Sequence, residues 1–171
     1  GLRQIASVLV KPAGPDCNLA CRYCFYSGAA SLYPDEPLHR MSDDVLEALI
    51  CQYMAIAGPM ASFGWQGGEP TLMGLPFFER VVALQRRYGM GGQTVANGLQ
   101  TNGVLIDDDW ARFLAEWKFL VGLSLDGPAD LEVEAFKPTE IKPAPRLFQG
   151  HWLNEIKGES VREKRTFAAG T

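Results

Sequence analysis

Ala61-Ser62-Phe63-Gly64-Trp65-Gln66, followed by Gly67-Gly68-Glu69-Pro70 and then by Leu75-Pro76-Phe77-Phe78, is the stretch that decides the fold. The first six residues read as a strand and the next four as its exit turn. A helix then starts near Leu75. Pro76 sits in its first turn, where a missing N–H costs nothing. Phe78, Val81, Val82 and Gln85 continue the helix at helical spacing, and Gly89 is a natural residue to follow its end. This is one strand-turn-helix unit. The question is whether it repeats.

It repeats on both sides. Upstream, Ile5–Val10 is a short apolar, β-branched run that reads as a buried strand, ended by the prolines and glycine of Lys11–Pro15. A polar loop runs on to Met41. Ser42 then reads as an N-cap, with Asp43 and Asp44 in the first turn, where the helix dipole favours negative charge. Val45, Leu46, Leu49, Ile50, Tyr53 and Met54 give that helix its apolar face, and Gly58-Pro59 stops it. Downstream, Gln93–Gln100 reads as a third strand and Thr101-Asn102-Gly103 as its turn. Asp107 or Asp108 caps a third helix with Trp110, Phe113, Leu114 and Trp117 on its apolar face. Phe119–Leu125 is a fourth strand, ending at Asp126-Gly127-Pro128. Strands alternating with helices predict an α/β fold, with a parallel sheet and crossover helices. About four strands are present, too few to close a full barrel. Functional loops in such a sheet lie at the C-terminal strand ends. The cysteine-bearing loop, the Gly-Gly-Glu-Pro turn, the Thr-Asn-Gly turn and Ser124 or Asp126 are all expected on that one rim.

The chain has 171 residues, 47% of them hydrophobic and 21% charged, with a net charge of −4. That suffices for a core, and it argues against a general nucleic-acid or anionic-membrane binder. The apolar runs are too short to span a bilayer, and no signal peptide is visible, so a cytoplasmic setting is expected. A chain opening on Gly1 reads as a fragment or a processed product. Residues 1–130 carry a net charge of −5 and residues 131–171 of +1. Pro138, Pro143 and Pro145 interrupt that second segment. Only residues 151–165 could form a short helix there.

Cys17, Cys21 and Cys24 have the spacing C-x3-C-x2-C, and Cys51 stands alone. Three thiolates on one tight loop can converge on one metal centre. A [4Fe–4S] cube usually takes four cysteines, so three would leave one iron open to a small molecule. Zinc would need a fourth ligand, for which His39 or Cys51 could be proposed. Cys51 reads instead as a small core residue beside Ile50, and His39 as a loop surface residue. Cys21-x-x-Cys24 alone could be a dithiol pair, but such motifs need no Cys17.

The cysteine motif after a first strand, with Tyr23 before its last cysteine, resembles that of radical S-adenosylmethionine (SAM) enzymes. Lys11-Pro12, Cys17 through Tyr26, Trp65 through Gly74, Leu99-Gln100-Thr101-Asn102-Gly103 and Ser124-Leu125-Asp126-Gly127-Pro128 together look like the anaerobic sulfatase-maturating branch. The resemblance implies a partial (βα)6 TIM-like barrel, with residues 1–130 as its N-terminal part. It implies a [4Fe–4S] cluster on Cys17, Cys21 and Cys24, and SAM contacts from Tyr23, Gly67, Gly68, Glu69 and Ser124. Tyr23 would lie along the adenine. The two glycines would let the backbone approach the methionine amino group, with Glu69 supporting that group electrostatically. Gln66 would face the substrate.

The implied reaction is oxidation of a cysteine or serine of a sulfatase polypeptide to formylglycine by a 5′-deoxyadenosyl radical. An electron donor such as flavodoxin or ferredoxin would feed the cluster. Alternatives are another radical SAM peptide-modifying enzyme and an inactive remnant that only binds metal. The family's His-Asp and SAM-binding Arg after the Ser-Leu-Asp-Gly-Pro motif have no counterpart after Asp130. Its general base and its cysteine-rich C-terminal domain have none either. Residues 131–171 thus read as an unmatched tail, of the kind a truncation, frameshift or recombined end would produce.

Overall fold

The computed structural model describes residues 4–124, apart from Arg22, Phe25, Ser27, Ala30, Ser31 and residues 33–37. Leu125, Asp126, the expected boundary at residue 130 and the tail 131–171 lie outside the described residues.

Four strands form one sheet in the order β1 (Ser7–Val10), β2 (Met60–Trp65), β3 (Thr94–Thr101) and β4 (Leu120–Leu123). Every neighbouring pair is parallel. The crossovers carry α1 (Asp43–Ile56), α2 (Leu75–Tyr88) and α3 (Asp108–Glu116), with a short 3-10 turn at Pro70–Met73 ahead of α2. This is the expected open α/β architecture. Strand boundaries differ from the sequence reading by one or two residues.

The local signals act as expected. Ser42 caps α1 by accepting the Val45 N–H, and Asp107 caps α3 by accepting the Trp110 N–H. Pro76 lies in the first turn of α2. Gly89 differs from expectation: its N–H bonds the Gln85 carbonyl, but its φ is −64°, so the chain leaves α2 extended. The left-handed glycine of that loop is Gly92 (φ 82°).

The core lies between the sheet and the helices. Phe63 stacks on Trp65 at 5.9 Å between ring centroids, Trp65 meets Phe78 edge-on at 5.7 Å, and Phe78 meets Trp110 at 5.2 Å. Edge-to-face aromatic pairs of this kind add about 0.5–1.5 kcal/mol beyond their buried area. Phe77 and Leu84 join the core beside the expected Phe78, Val81 and Val82. Gln85 is buried as well, because Asn97 exchanges two 2.9 Å amide hydrogen bonds with it and also accepts from Trp65 Nε1. Val45, expected on the inner face of α1, is instead exposed. Cys51 is half-buried rather than fully in the core.

Side chains alternate along a strand, so the opposite face of the sheet is distinct. Leu9, Gly64, Gly98 and Leu120 stand in one register row there, and Leu9 and Leu120 are exposed. Parallel sheets are ordinarily covered on both faces. The geometry is that of part of a barrel wall. No helix among the described residues is long and apolar enough to cross a membrane.

Candidate active site

The loop after β1 is closed at its base by the Met41 N–H bonding the Pro12 carbonyl at 2.8 Å. Tight turns at Gly14 and Asp16 then bring the chain back over the sheet's C-terminal rim. Asp16 anchors the loop a second time. Its carboxylate accepts from the His39 backbone N–H (2.9 Å) and from Arg40 Nη1 (2.5 Å), and pairs with His39 Nδ1 (2.8 Å). Burial pushes the Asp16 carboxyl up, but the hydrogen bonds from His39 and the Arg40 charge outweigh it and hold the group below its ordinary value. His39 is therefore not a loop surface residue. It packs over Gly14, where an added Cβ would lie 3.0 Å from the His39 Cβ.

Cys17, Cys21 and Cys24 are free thiols, each half-buried, on the loop so anchored. Cys17 Sγ accepts from the Leu19 N–H at 3.4 Å and from Asn102 Nδ2 at 3.7 Å. Burial pushes the Cys17 thiol up, and the charge of Glu69 adds to the rise. Among the described residues, no three His, Cys, Asp or Glu side chains gather closely enough to hold a metal ion. Thiol ligands give up their protons as the metal binds, so a site of this kind is completed by the metal. The donor set itself fits an iron–sulfur centre: three thiols outside any disulfide on one short loop, one of them already receiving N–H donors.

The Gly67-Gly68-Glu69 turn packs directly on this loop. The Gly68 N–H bonds the Gly14 carbonyl (2.9 Å) and the Glu69 N–H bonds the Asp16 carbonyl (2.7 Å). Gly67 has φ +130°, and a Cβ at Gly68 would fall 1.9 Å from the Asp16 carbonyl oxygen. In this structure the close backbone approach that requires glycine is to residues 14–16.

Glu69 is fully buried. Its Oε1 accepts from Thr71 N (3.0 Å), Thr71 Oγ1 (2.7 Å) and Thr101 Oγ1 (2.8 Å), and its Oε2 accepts from Asn102 N (2.8 Å). The side chain ties the exit of β2 to the exit of β3. Any effect on a bound amino group would act through space, since the carboxylate is committed to protein donors. Glu69→Gln would set an amide NH2 against at least one of these donors. The expected cost is about 1–3 kcal/mol, read as a lowered midpoint in urea at an unchanged slope.

Gln66 extends the β1–β2 ladder, its N–H bonding the Val10 carbonyl. Trp65 points into the helical layer, so alternation directs Gln66 to the open face. Ser124 is exposed; its N–H bonds the Thr101 carbonyl and its hydroxyl accepts from Gln100 Nε2 at 3.0 Å. Tyr23 is 62% exposed. The structure thus collects Cys17, Glu69, Gln66 and Ser124 on one rim, as the strand pattern predicts. It adds Asp16, Asn18, Thr101 and Asn102, to which the sequence reading gave no roles. For Thr101 and Asn102 the available signal is the Thr-Asn-Gly turn at the end of β3; Asp16 and Asn18 lie beside Cys17 with no pattern of their own.

A parallel α/β wall with a three-cysteine loop at the first strand's exit defines a class. The chain matches the Radical SAM superfamily over residues 12–144, and it belongs to that superfamily. It is 48% identical over 125 residues to a cysteine-type anaerobic sulfatase-maturating enzyme of Clostridium perfringens, covering 73% of this chain and 34% of the relative. It is 41% identical over 156 residues to a serine-type anaerobic sulfatase-maturating enzyme of Bacteroides thetaiotaomicron, covering 90% of this chain and 37% of the relative. The fold superposes on native anSMEcpe with bound AdoMet and Cp18Cys peptide with a TM-score of 0.70 at 46% identity, over 78% of this chain and 34% of that one. The chain therefore spans about a third of the length of the curated relatives it matches.

Proposed function

We propose that residues 1–130 form the SAM-binding, cluster-bearing part of an anaerobic sulfatase-maturating enzyme. The observation that carries the reading is the cysteine loop, held by Asp16, His39 and the Gly-Gly-Glu turn at the C-terminal rim of a parallel sheet. Relatives of both the cysteine and the serine type support it, as does a similar structure with AdoMet and peptide bound.

In this reading Cys17, Cys21 and Cys24 hold a [4Fe–4S] cluster. Tyr23 lies along the adenine, and Ser124, oriented by Gln100, hydrogen-bonds the bound SAM. Gly67 and Gly68 supply backbone close to the methionine amino group, and Gln66 faces the peptide from the open side of the sheet. When bound, the cluster and SAM supply one electron and a 5′-deoxyadenosyl radical that takes hydrogen from the substrate's Cβ. The protein's share is position and exclusion of water. A sulfatase polypeptide is the substrate, converted at cysteine or serine to formylglycine. A flavodoxin or ferredoxin is the electron donor.

The test is anaerobic reconstitution of the chain with iron and sulfide, followed by SAM, dithionite and a sulfatase peptide carrying either residue. A cluster whose electron paramagnetic resonance (EPR) signal changes on adding SAM is expected, with release of 5′-deoxyadenosine. Peptide oxidation would be read by mass. Deoxyadenosine without oxidation of either peptide would favour another peptide-modifying radical SAM enzyme. A cluster that never cleaves SAM would favour a metal-binding remnant.

A further inference from the structure

Asn102 lies at the exit of β3, outside the cysteine loop and 85 residues from Cys17 in sequence. Its backbone N–H and both ends of its side-chain amide are committed. Its backbone N–H donates to Glu69 Oε2 at 2.8 Å, and its side-chain Oδ1 accepts the Val104 N–H at 3.0 Å. That second bond fixes which end of the amide is oxygen, so Nδ2 must face the cysteine loop. There it donates to Asn18 Oδ1 at 2.8 Å and to Cys17 Sγ at 3.7 Å. The contact is not an accident of a mobile side chain. The backbone of Asn102 is held by a fully buried carboxylate, and Asn18 is itself buried.

We propose that Asn102 is a positioning residue that tunes the iron–sulfur centre, by donating an N–H to the sulfur of the ligand Cys17. The inference rests on Cys17 being a cluster ligand, as proposed above. Reduction of a cluster adds negative charge that spreads onto its sulfurs. An N–H aimed at a ligand sulfur stabilises the reduced state more than the oxidised one, so it raises the reduction potential. The Leu19 N–H already donates to the same sulfur from within the loop. Asn102 adds a donor from another strand, so the potential becomes linked to how β3 sits against the loop. Glu69, which holds Asn102 in place, is part of the same device.

The test compares the reconstituted native chain with Asn102→Ser and Asn102→Asp. Serine can keep the turn by accepting from the Val104 N–H, but it is too short to reach Cys17. Aspartate keeps the shape and replaces the donor with a negative oxygen. Three readouts are taken: iron and sulfide per chain, circular dichroism, and an EPR-monitored redox titration. With native cluster content, Asn102→Ser is expected to shift the reduction equilibrium about tenfold toward the oxidised state. That corresponds to about 59 mV for a one-electron couple. Asn102→Asp should shift it further in the same direction.

Full cluster content with an unchanged midpoint in both variants would overturn the proposal and leave Asn102 a turn residue. Folded variants that both lose the cluster would also overturn it, by making Asn102 a requirement for loop assembly. A native chain that takes up no cluster would overturn the ligand reading and this inference together. That outcome is told apart because it appears before any substitution is made.

Discussion

Replacing Cys24 by alanine is expected to abolish the intact [4Fe–4S] cluster, leaving less than about a tenth of native iron and sulfide per chain after anaerobic reconstitution. With three cysteines the cube already has one fewer protein ligand than usual. Removing another leaves two, too few to hold a cube against loss of iron. The fold should survive. Cys24 is half-buried in a loop, where its N–H makes a turn to the Cys21 carbonyl at 3.1 Å. The far-ultraviolet circular dichroism spectrum is therefore expected to match that of the native apoprotein. Cys51→Ala provides the contrast, because Cys51 lies in α1 and retains no role in the cluster; full cluster content is expected. Retention of a full cluster in the Cys24→Ala variant would remove the basis for the ligand assignment.

Gly68→Ala is expected to be the most destabilising single-methyl change in the described part of the chain. Its Cβ would stand 1.9 Å from the Asp16 carbonyl oxygen, 2.5 Å from that carbonyl carbon and 2.6 Å from the Pro15 carbonyl carbon. All three are backbone atoms, so no rotamer change relieves the overlap. The loop cannot simply retreat either. It is held to the turn by the Gly68–Gly14 and Glu69–Asp16 hydrogen bonds, and to the segment before α1 by the Asp16–His39 contacts. Overpacking usually costs about 1–3 kcal/mol. With rigid neighbours and broken hydrogen bonds the cost here should be about 3 kcal/mol or more, which at this chain length lowers Tm by about 2–4 °C per kcal/mol. Gly91→Ala is the control. Nothing lies within 4 Å of a Cβ there, and the substitution should leave Tm within about a degree. Equal melting temperatures for native and Gly68→Ala proteins would show that the turn and the loop are not in contact.

How much of this was legible before folding can be seen residue by residue. Ser42, Asp107 and Pro76 announced helix starts because capping and proline geometry are local. The four strands were legible because each is a short apolar run between turn residues. The burial of Gln85 was harder to justify, since its reason is a partner on another strand, Asn97. Val45 is apolar and next to the stripe, yet it is exposed, because the face of α1 that packs is the one carrying Leu46, Ile50, Tyr53 and Met54. His39 looked like surface because the residue that captures it, Asp16, lies 23 positions away. Glu69 looked like a group for a ligand. Its donors Thr101 and Asn102 come from the next strand and leave its carboxylate no exposed face.

By itself the sequence determined the order of strands and helices, the parallel sheet they imply, the rim on which the polar turns fall, and the superfamily. The elements depend on periodicity, caps and spacing, which act over a few residues, and the superfamily on the resemblance of a few short motifs to a known family. Only the tertiary structure decided what the rim residues do to one another. Gly68 is glycine because the loop's backbone passes against it, Glu69 is a clasp between two strand exits, and Asn102 reaches a cysteine 85 positions away. Such contacts join segments distant in the chain, and their partners are set by how the strands register and stack. No local pattern encodes that.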